Sequence, residues 1–205
     1  MKFIGKWSYS CANHLATAMN ESHERRAVYY YGFYIVIGAA VKLVILVSLA
    51  LLLRVLLPTL ALFFVFGSLR MFAGGMHMDT YNKCLIVSFT IFLSGAAFSE
   101  YTDIFWNNEG LFVLAAVALF TGIYILLKYA PKDTPNKRIT NPTQINRLKK
   151  LSVLYLFILI SVIVVLIKLG LEKYAIAACL GILFELFTIT PRGHKFFYRI
   201  SGAMK

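Results

Sequence analysis

The sequence has few charged residues, and acidic residues are especially scarce. Only 15% of its 205 residues are charged, and nine Asp and Glu stand against 21 Lys and Arg. A soluble domain usually has about a quarter of its residues charged. Hydrophobic residues make up 60% of the chain, the mean hydropathy is +0.73, and the apolar residues form long blocks. This pattern predicts an integral membrane protein.

Cysteine is scarce as well. The three cysteines, Cys11, Cys84 and Cys179, form an odd set at wide spacing, which fits neither a disulfide framework nor a zinc ribbon. We expect free thiols, no metal and no other cofactor. The net charge of +12 does not indicate a nucleic-acid partner, because the basic residues alternate with apolar blocks. We expect the basic residues to face anionic lipid instead.

Six apolar blocks approach the length of about 20 residues that a membrane-spanning helix needs. The predicted spans are 32–53, 55–69, 85–99, 111–127, 151–169 and 174–189. We therefore predict an all-α polytopic fold, with residues 1–205 forming one integral membrane domain. The short spans 55–69 and 85–99 could instead be tilted or re-entrant.

Residues 1–31 precede the first span. Their apolar positions recur at roughly helical spacing, and Trp7 and the tyrosines at 29–31 are residue types typical of the membrane interface. We predict an amphipathic helix at the membrane surface. A loosely ordered arm is the alternative.

The basic residues fall mostly on one side of a six-span topology. That side holds both termini, segment 70–84 and the large internal loop 128–150, and the opposite side keeps only three basic residues. Cytoplasmic loops are enriched in Lys and Arg, so we predict that both termini and segment 70–84 are cytoplasmic. The basic residues on the predicted cytoplasmic side are Lys2, Lys6, Arg25, Arg26, Arg70, Lys83, Lys128, Lys132, Lys137, Arg138, Arg147, Lys149, Lys150, Arg192, Lys195, Arg199 and Lys205.

Segment 70–84, "RMFAGGMHMDTYNKC", places a histidine and a cysteine in a short polar interval between two spans. On one helix, His77 and Cys84 would lie on the same face, about two turns apart. In a turn that leads into a helix, His77 could fold back onto Cys84 in the first helical turn. A thiolate is favoured at a helix N-terminus, and a nearby imidazole can act as its proton carrier. We predict nucleophilic catalysis by this pair.

The glycines of the segment have two candidate roles. Gly74 and Gly75 could turn their N–H groups toward an oxyanion, or they could let another peptide chain approach closely. Arg70 could bind a carboxylate of the substrate or fix the loop at the end of the span.

Other groupings of reactive residues are weaker candidates. Cys11 and His14 could share a helix face as a rival nucleophile and base, but no glycine pair accompanies them. His77, Asp79 and Cys84 supply too few ligands for a closed zinc site. Lys42 and Glu185 fall inside predicted spans, and we expect them to face the bundle interior, where they could pair.

Segment 70–84 resembles the signature of the accessory gene regulator B (AgrB) family, the membrane endopeptidases of Gram-positive quorum sensing. The family pattern Arg-x-x-x-Gly-Gly-x-His, followed by Cys seven residues after the His, is matched by Arg70, Gly74, Gly75, His77 and Cys84. A second stretch, "YAPKDTPNKRI", resembles the family's Ala-Pro…Asn-Lys-Pro segment, with Arg138 where the family usually has proline.

The resemblance implies a substrate and a reaction. The substrate would be an AgrD-type propeptide with an amphipathic leader, a short core and an acidic tail. By analogy, Cys84 attacks the bond between core and tail, His77 moves the proton, and the core cyclises from a thioester to a thiolactone or lactone. The basic residues Lys128, Lys132, Lys137 and Arg138, together with Arg70, would attract the acidic tail, although cytoplasmic enrichment in Lys and Arg would give the same pattern.

A second function fits the same spans and the same basic side. A small membrane transporter or peptide-export component without peptidase chemistry would not need Cys84. The sequence leaves homodimerisation open. Ala177 and Gly181, four residues apart on the sixth span, hint at a helix contact.

Overall fold

The computed structural model describes residues 2–76, 80–132 and 141–203, and their regular structure is helical. Five of the helices are long and apolar enough to cross a membrane, and a bent pair formed by the last two helices would make a sixth crossing. The predicted all-α polytopic fold is thereby confirmed. The helices are α1 (Lys2–Ala18), α2 (His23–Leu52), α3 (Leu56–Ala73), α4 (Tyr81–Thr102), α5 (Asn108–Tyr129), α6 (Pro142–Lys168), α7 (Glu172–Ile189) and α8 (Pro191–Ala203), with a 3-10 turn at Asp103–Phe105.

The chain divides into two compact units, 1–52 and 53–205. The first unit is the pair α1 and α2, which pack on each other. Every fourth residue of α1 is buried, at Ile4, Ser8, Ala12 and Ala16. This spacing places the four residues on one face of the helix. A helix thus precedes the first span, and its location at the membrane surface stays a prediction.

The helix of the first span begins at His23, nine residues before the predicted start at residue 32. Its first turn is polar and is stabilised by hydrogen bonds and an ion pair. Ser22 accepts a hydrogen bond from the Arg25 amide at 3.4 Å, and Arg25 pairs with Glu21 at 3.1 Å. Arg26 donates to Asn13 of α1 at 3.2 Å. Hydropathy marks only the apolar part of this helix, so it misses the polar turns that continue it.

Helix α7 is the centre of the second unit and packs against α3, α4, α5, α6 and α8. Its small residues allow this close packing. A Cβ atom added to Gly181 would lie 2.9 Å from the carbonyl oxygen of Leu62 and 3.2 Å from Cβ of Val65, both on α3. The helix contact that Ala177 and Gly181 suggested is thereby confirmed at Gly181.

We expect Gly181→Ala to destabilise the second unit, because α3 would have to move away from α7. Overpacking of this kind costs about 1–3 kcal/mol. Gly67→Ala on α3 is the matched control, because its added Cβ meets nothing within 4 Å. Thermal unfolding of the purified protein in detergent should show a lower midpoint for Gly181→Ala only. Equal midpoints for the two variants would show that this contact is not close packed.

The last helix, α8, was not predicted from the sequence. The chain bends by 83° between α7 and α8, and Thr190 accepts a hydrogen bond from the Gly193 amide at 3.0 Å. Pro191 suits the first position of a helix, where no backbone N–H is required. One face of α8 is buried at Gly193, Phe197 and Ser201. Thr190 and Pro191 are thus the sequence signal for this helix.

Candidate active site at one end of the bundle

Three helices of the second unit, α3, α5 and α7, end close together. Just after α5, the Lys132 amide donates to the Ala73 carbonyl at 2.8 Å, and the Gly75 amide donates to the Lys132 carbonyl at 3.3 Å. A Cβ atom on Gly75 would lie 2.8 Å from Oγ1 of Thr188, near the end of α7. The segment that leaves α3 is therefore held between the ends of two neighbouring helices.

Cys84 lies in the first turn of α4. This helix begins after Thr80, whose backbone is extended (φ −128°, ψ 150°) and whose side chain accepts from the Lys83 amide. The Cys84 thiol is half-buried, and its Sγ lies 3.9 Å from Oγ of Ser88, one turn further along α4. Thr80 thus marks the start of α4. His77 lies outside the described residues, so the arrangement of His77 relative to Cys84 stays a prediction.

Helix α8 contacts this same end of the bundle. Nζ of Lys83, the residue before Cys84, donates to the Ser201 carbonyl at 2.6 Å and lies 3.3 Å from its hydroxyl. A cation at the C-terminus of a helix is favoured by the helix dipole. The C-terminal helix is therefore attached directly beside the predicted nucleophile.

Gly74 and Gly75 both adopt positive φ angles, of 75° and 148°. A Cβ on Gly74 would collide with the carbonyl oxygen of Lys132. The Gly74 amide donates to the Arg70 carbonyl at 2.9 Å, and the Gly75 amide donates to the Lys132 carbonyl at 3.3 Å. Both N–H groups are thus in use, and neither is directed at an oxyanion in this conformation. The backbone of Lys132 in the same chain thus approaches both glycines closely, and their role toward a substrate stays a prediction.

Arg70 lies in the last turn of α3, and its guanidinium is held by other groups of the protein. Nη1 of Arg70 lies 3.3 Å from Oε2 of Glu185 on α7, and Nη2 donates to the Met76 carbonyl. The guanidinium also lies over the Phe66 ring, at 5.6 Å from its centroid. Of the two roles predicted for Arg70, these contacts favour fixing the loop.

Glu185 is fully buried, as predicted for an ionisable residue in the bundle interior. Its ion-pair partner in the second unit is Arg70 on α3. The Thr188 hydroxyl lies 3.3 Å from Oε2 of Glu185 and 3.5 Å from Nη1 of Arg70. Thr188 therefore lies beside both members of the ion pair.

The other predicted site residues are distributed as follows. Nζ of Lys128, in the last turn of α5, donates to the Tyr124 hydroxyl at 2.9 Å, and the backbone of Lys132 pairs with residues 73–75. His77, Lys137 and Arg138 lie outside the described residues. In the part of the chain that the structure describes, no three His, Cys, Asp or Glu side chains converge as a metal site would require.

The remaining thiols differ from Cys84 in their surroundings. Cys179 is 1% exposed within α7, where a free cysteine acts as a small apolar packing residue. Cys11 is exposed on α1 in the first unit. His14 lies three residues further along the same helix, so the rival pair does share a helix face.

Comparison with known proteins identifies relatives along most of the chain. The family model for accessory gene regulator B matches residues 8–189. Accessory gene regulator protein B of Staphylococcus aureus strain MRSA252 is 30% identical over 151 residues, which cover 73% of this chain and 74% of that protein. The protein of the same name from Staphylococcus intermedius is 27% identical over 177 residues, covering 86% and 88%.

A protein of Clostridium perfringens strain SM101 named as AgrB-like is 27% identical over 188 residues, covering 88% of both chains. No solved structure matches the chain significantly. The family model covers far more than half of the chain, and it includes all of segment 70–84. The chain therefore belongs to the accessory gene regulator B family.

Proposed function

We propose that this chain is a membrane-embedded cysteine endopeptidase that removes the acidic C-terminal tail of an AgrD-type propeptide. The observation that carries the proposal is the position of Cys84. Its thiol lies in the first turn of α4 and is half-buried. The helix begins four residues after His77 in the sequence, and Met76, the residue before His77, is held by Arg70.

The proposed first step is an acyl transfer to Cys84. The sulfur forms a bond to the carbonyl carbon between core and tail, and the peptide C–N bond breaks. His77 takes the proton from the thiol and gives it to the leaving amine, so that the tail departs with a free N-terminus. The core then remains on Cys84 as a thioester.

The proposed second step closes the ring without water. A cysteine thiol or serine hydroxyl of the core attacks the thioester carbonyl, and the bond between that carbonyl and the sulfur of Cys84 breaks. His77 takes the proton of the attacking group and passes it to the released sulfur of Cys84. The product is a thiolactone or a lactone. A site at the end of a membrane helix suits this step, because exclusion of water protects the thioester from hydrolysis.

The charge distribution supports a cytoplasmic location of this site. Lys83, Lys128 and Lys132 lie at the end of the bundle that holds Cys84. The opposite end carries Glu100, which pairs with Lys173 at 2.9 Å. A basic surface attracts an acidic peptide tail by an interaction that weakens as salt is raised.

The experiment that tests this function uses membrane vesicles of both orientations and a candidate AgrD-type propeptide. Inverted vesicles, in which the cytoplasmic side faces out, should release the free tail from added propeptide. Sealed right-side-out vesicles should release little. Uptake of intact propeptide without release of the tail would contradict the peptidase and support the transporter.

A further inference from the structure

The ion pair between Arg70 and Glu185 is unusual in its setting. The Glu185 side chain is 0% exposed and the Arg70 side chain 19% exposed. Removing two charges from water is costly, and a buried pair often contributes no more stability than well-packed apolar residues would. Close packing of α3 on α7 through Gly181 already joins the two helices. We therefore expect the ion pair to have a role other than holding these two helices together.

The contacts of Arg70 continue from Glu185 to the loop after α3. One nitrogen of its guanidinium faces Glu185 at 3.3 Å, and the other donates to the Met76 carbonyl. Gly75 lies against the same guanidinium, since a Cβ there would be 2.8 Å from Nη1 of Arg70. Fixing Arg70 from α7 therefore also fixes the backbone at residues 75–76, immediately before His77.

We infer that Glu185 is a positioning residue, which holds Arg70 and, through it, the backbone at residues 75–76 that precedes the predicted base His77, with the Thr188 hydroxyl as a second support. This inference rests on the proposed peptidase function. In this account Arg70 acts on the loop and does not bind the carboxylates of the substrate. The planar guanidinium suits this task, because it can donate to two acceptors in fixed directions.

Kinetic measurements can distinguish a positioning role of Arg70 from a role in substrate binding. If Arg70 bound the acidic tail, its removal would raise KM, the loss would depend on salt, and Glu185 would not be needed for it. If Arg70 positions the loop, removal of either partner lowers kcat and leaves KM nearly unchanged. Because both residues then act through one contact, the loss in the double variant should not exceed that in either single variant.

The experiment compares Glu185→Gln, Arg70→Gln, their double variant and Thr188→Val in inverted vesicles, with release of the tail as the readout. Glu100→Gln is the matched control, because it removes one carboxylate from the Glu100–Lys173 ion pair at the other end of the bundle. We expect about a 10²-fold fall in kcat for each single charge variant and for the double variant, since small misplacement of a reacting group can cost that much. Thr188→Val should give a smaller fall, and Glu100→Gln should match the wild type.

A single variant leaves one buried charge without its partner and could fail to fold for that reason. The double variant removes both charges, so its kcat then tests whether Glu185 positions Arg70. A folded double variant with wild-type kcat would overturn the inference. If the double variant is also absent from the membrane, wild-type kcat in Thr188→Val would overturn it. A raised KM for Arg70→Gln with normal kinetics for Glu185→Gln would assign Arg70 to substrate binding. Failure of the wild type to release the tail would contradict the proposed function itself.

Discussion

Replacement of Cys84 by alanine is expected to abolish release of the tail, with a fall of at least about 10³-fold in rate. Removal of a nucleophile leaves only the catalysis that binding and polarisation supply. Cys84 lies in the first turn of α4 with its amide bonded to Thr80 at 3.0 Å. An alanine keeps that bond and fits the half-buried position, so the variant should fold normally. Tail release at equal amounts of membrane protein is the measurement.

Two cysteine variants control this result. Cys11→Ala, at an exposed position on α1, should leave tail release unchanged. Cys179→Ala removes only a buried sulfur from α7, so it should lower stability slightly and keep activity. Loss of tail release in Cys11→Ala alone would assign catalysis to the rival pair of Cys11 and His14. Full activity in Cys84→Ala would contradict the proposed mechanism.

Replacement of Gly74 by alanine is expected to have the next largest effect, a loss of tail release of about 10²-fold or more. A side chain at φ 75° and ψ −155° lies in a backbone region that is almost restricted to glycine and is strained by about 1–3 kcal/mol. The added Cβ would also collide with the Lys132 carbonyl. The ends of α3 and α5 would have to separate, which would displace the loop before His77. Single-turnover release of the tail measures this loss.

Gly170→Ala is the control for placing a side chain at a positive φ. Gly170, between α6 and α7, also has a positive φ of 67°. An added Cβ there would come no closer than 3.9 Å to Glu172. The control therefore keeps a positive φ and omits the collision. Equal activity in the Gly74 and Gly170 variants would show that the contact between Gly74 and Lys132 does not matter for the reaction.

The sequence was sufficient to predict the apolar spans and the segment with the candidate nucleophile, because both depend on local patterns, but it did not predict α8. Apolar blocks located the spans, and the step from polar to apolar residues placed Cys84 at the start of α4. The beginning of α2 was missed, because the polar residues that precede residue 32 are helical through contacts with α1. The ranges 77–79 and 133–140 lie outside the described residues, so the roles of His77, Lys137 and Arg138 stay predictions.

The ion pair between Arg70 and Glu185 could have been predicted by comparing how deep each charged residue lies in its predicted span. Arg70 lies three residues before the end of α3, and Glu185 lies four before the end of α7. In the predicted topology, the second and sixth spans run in the same direction, so these two charges lie at similar depth. Their similar depth and opposite charges could therefore have been used to predict the ion pair from the sequence. Which helices are neighbours is set by packing at Gly181, and the sequence gives only a hint of that contact.

The central claim is that Cys84 carries the core of the peptide as a thioester. The direct measurement is the intact mass of the chain after brief reaction with its propeptide in vesicles, before and after treatment with hydroxylamine, which cleaves thioesters. The account predicts an added mass equal to leader plus core, lost on treatment with hydroxylamine and absent from Cys84→Ala. Release of the free tail without any such adduct, or the same adduct on Cys84→Ala, would contradict it.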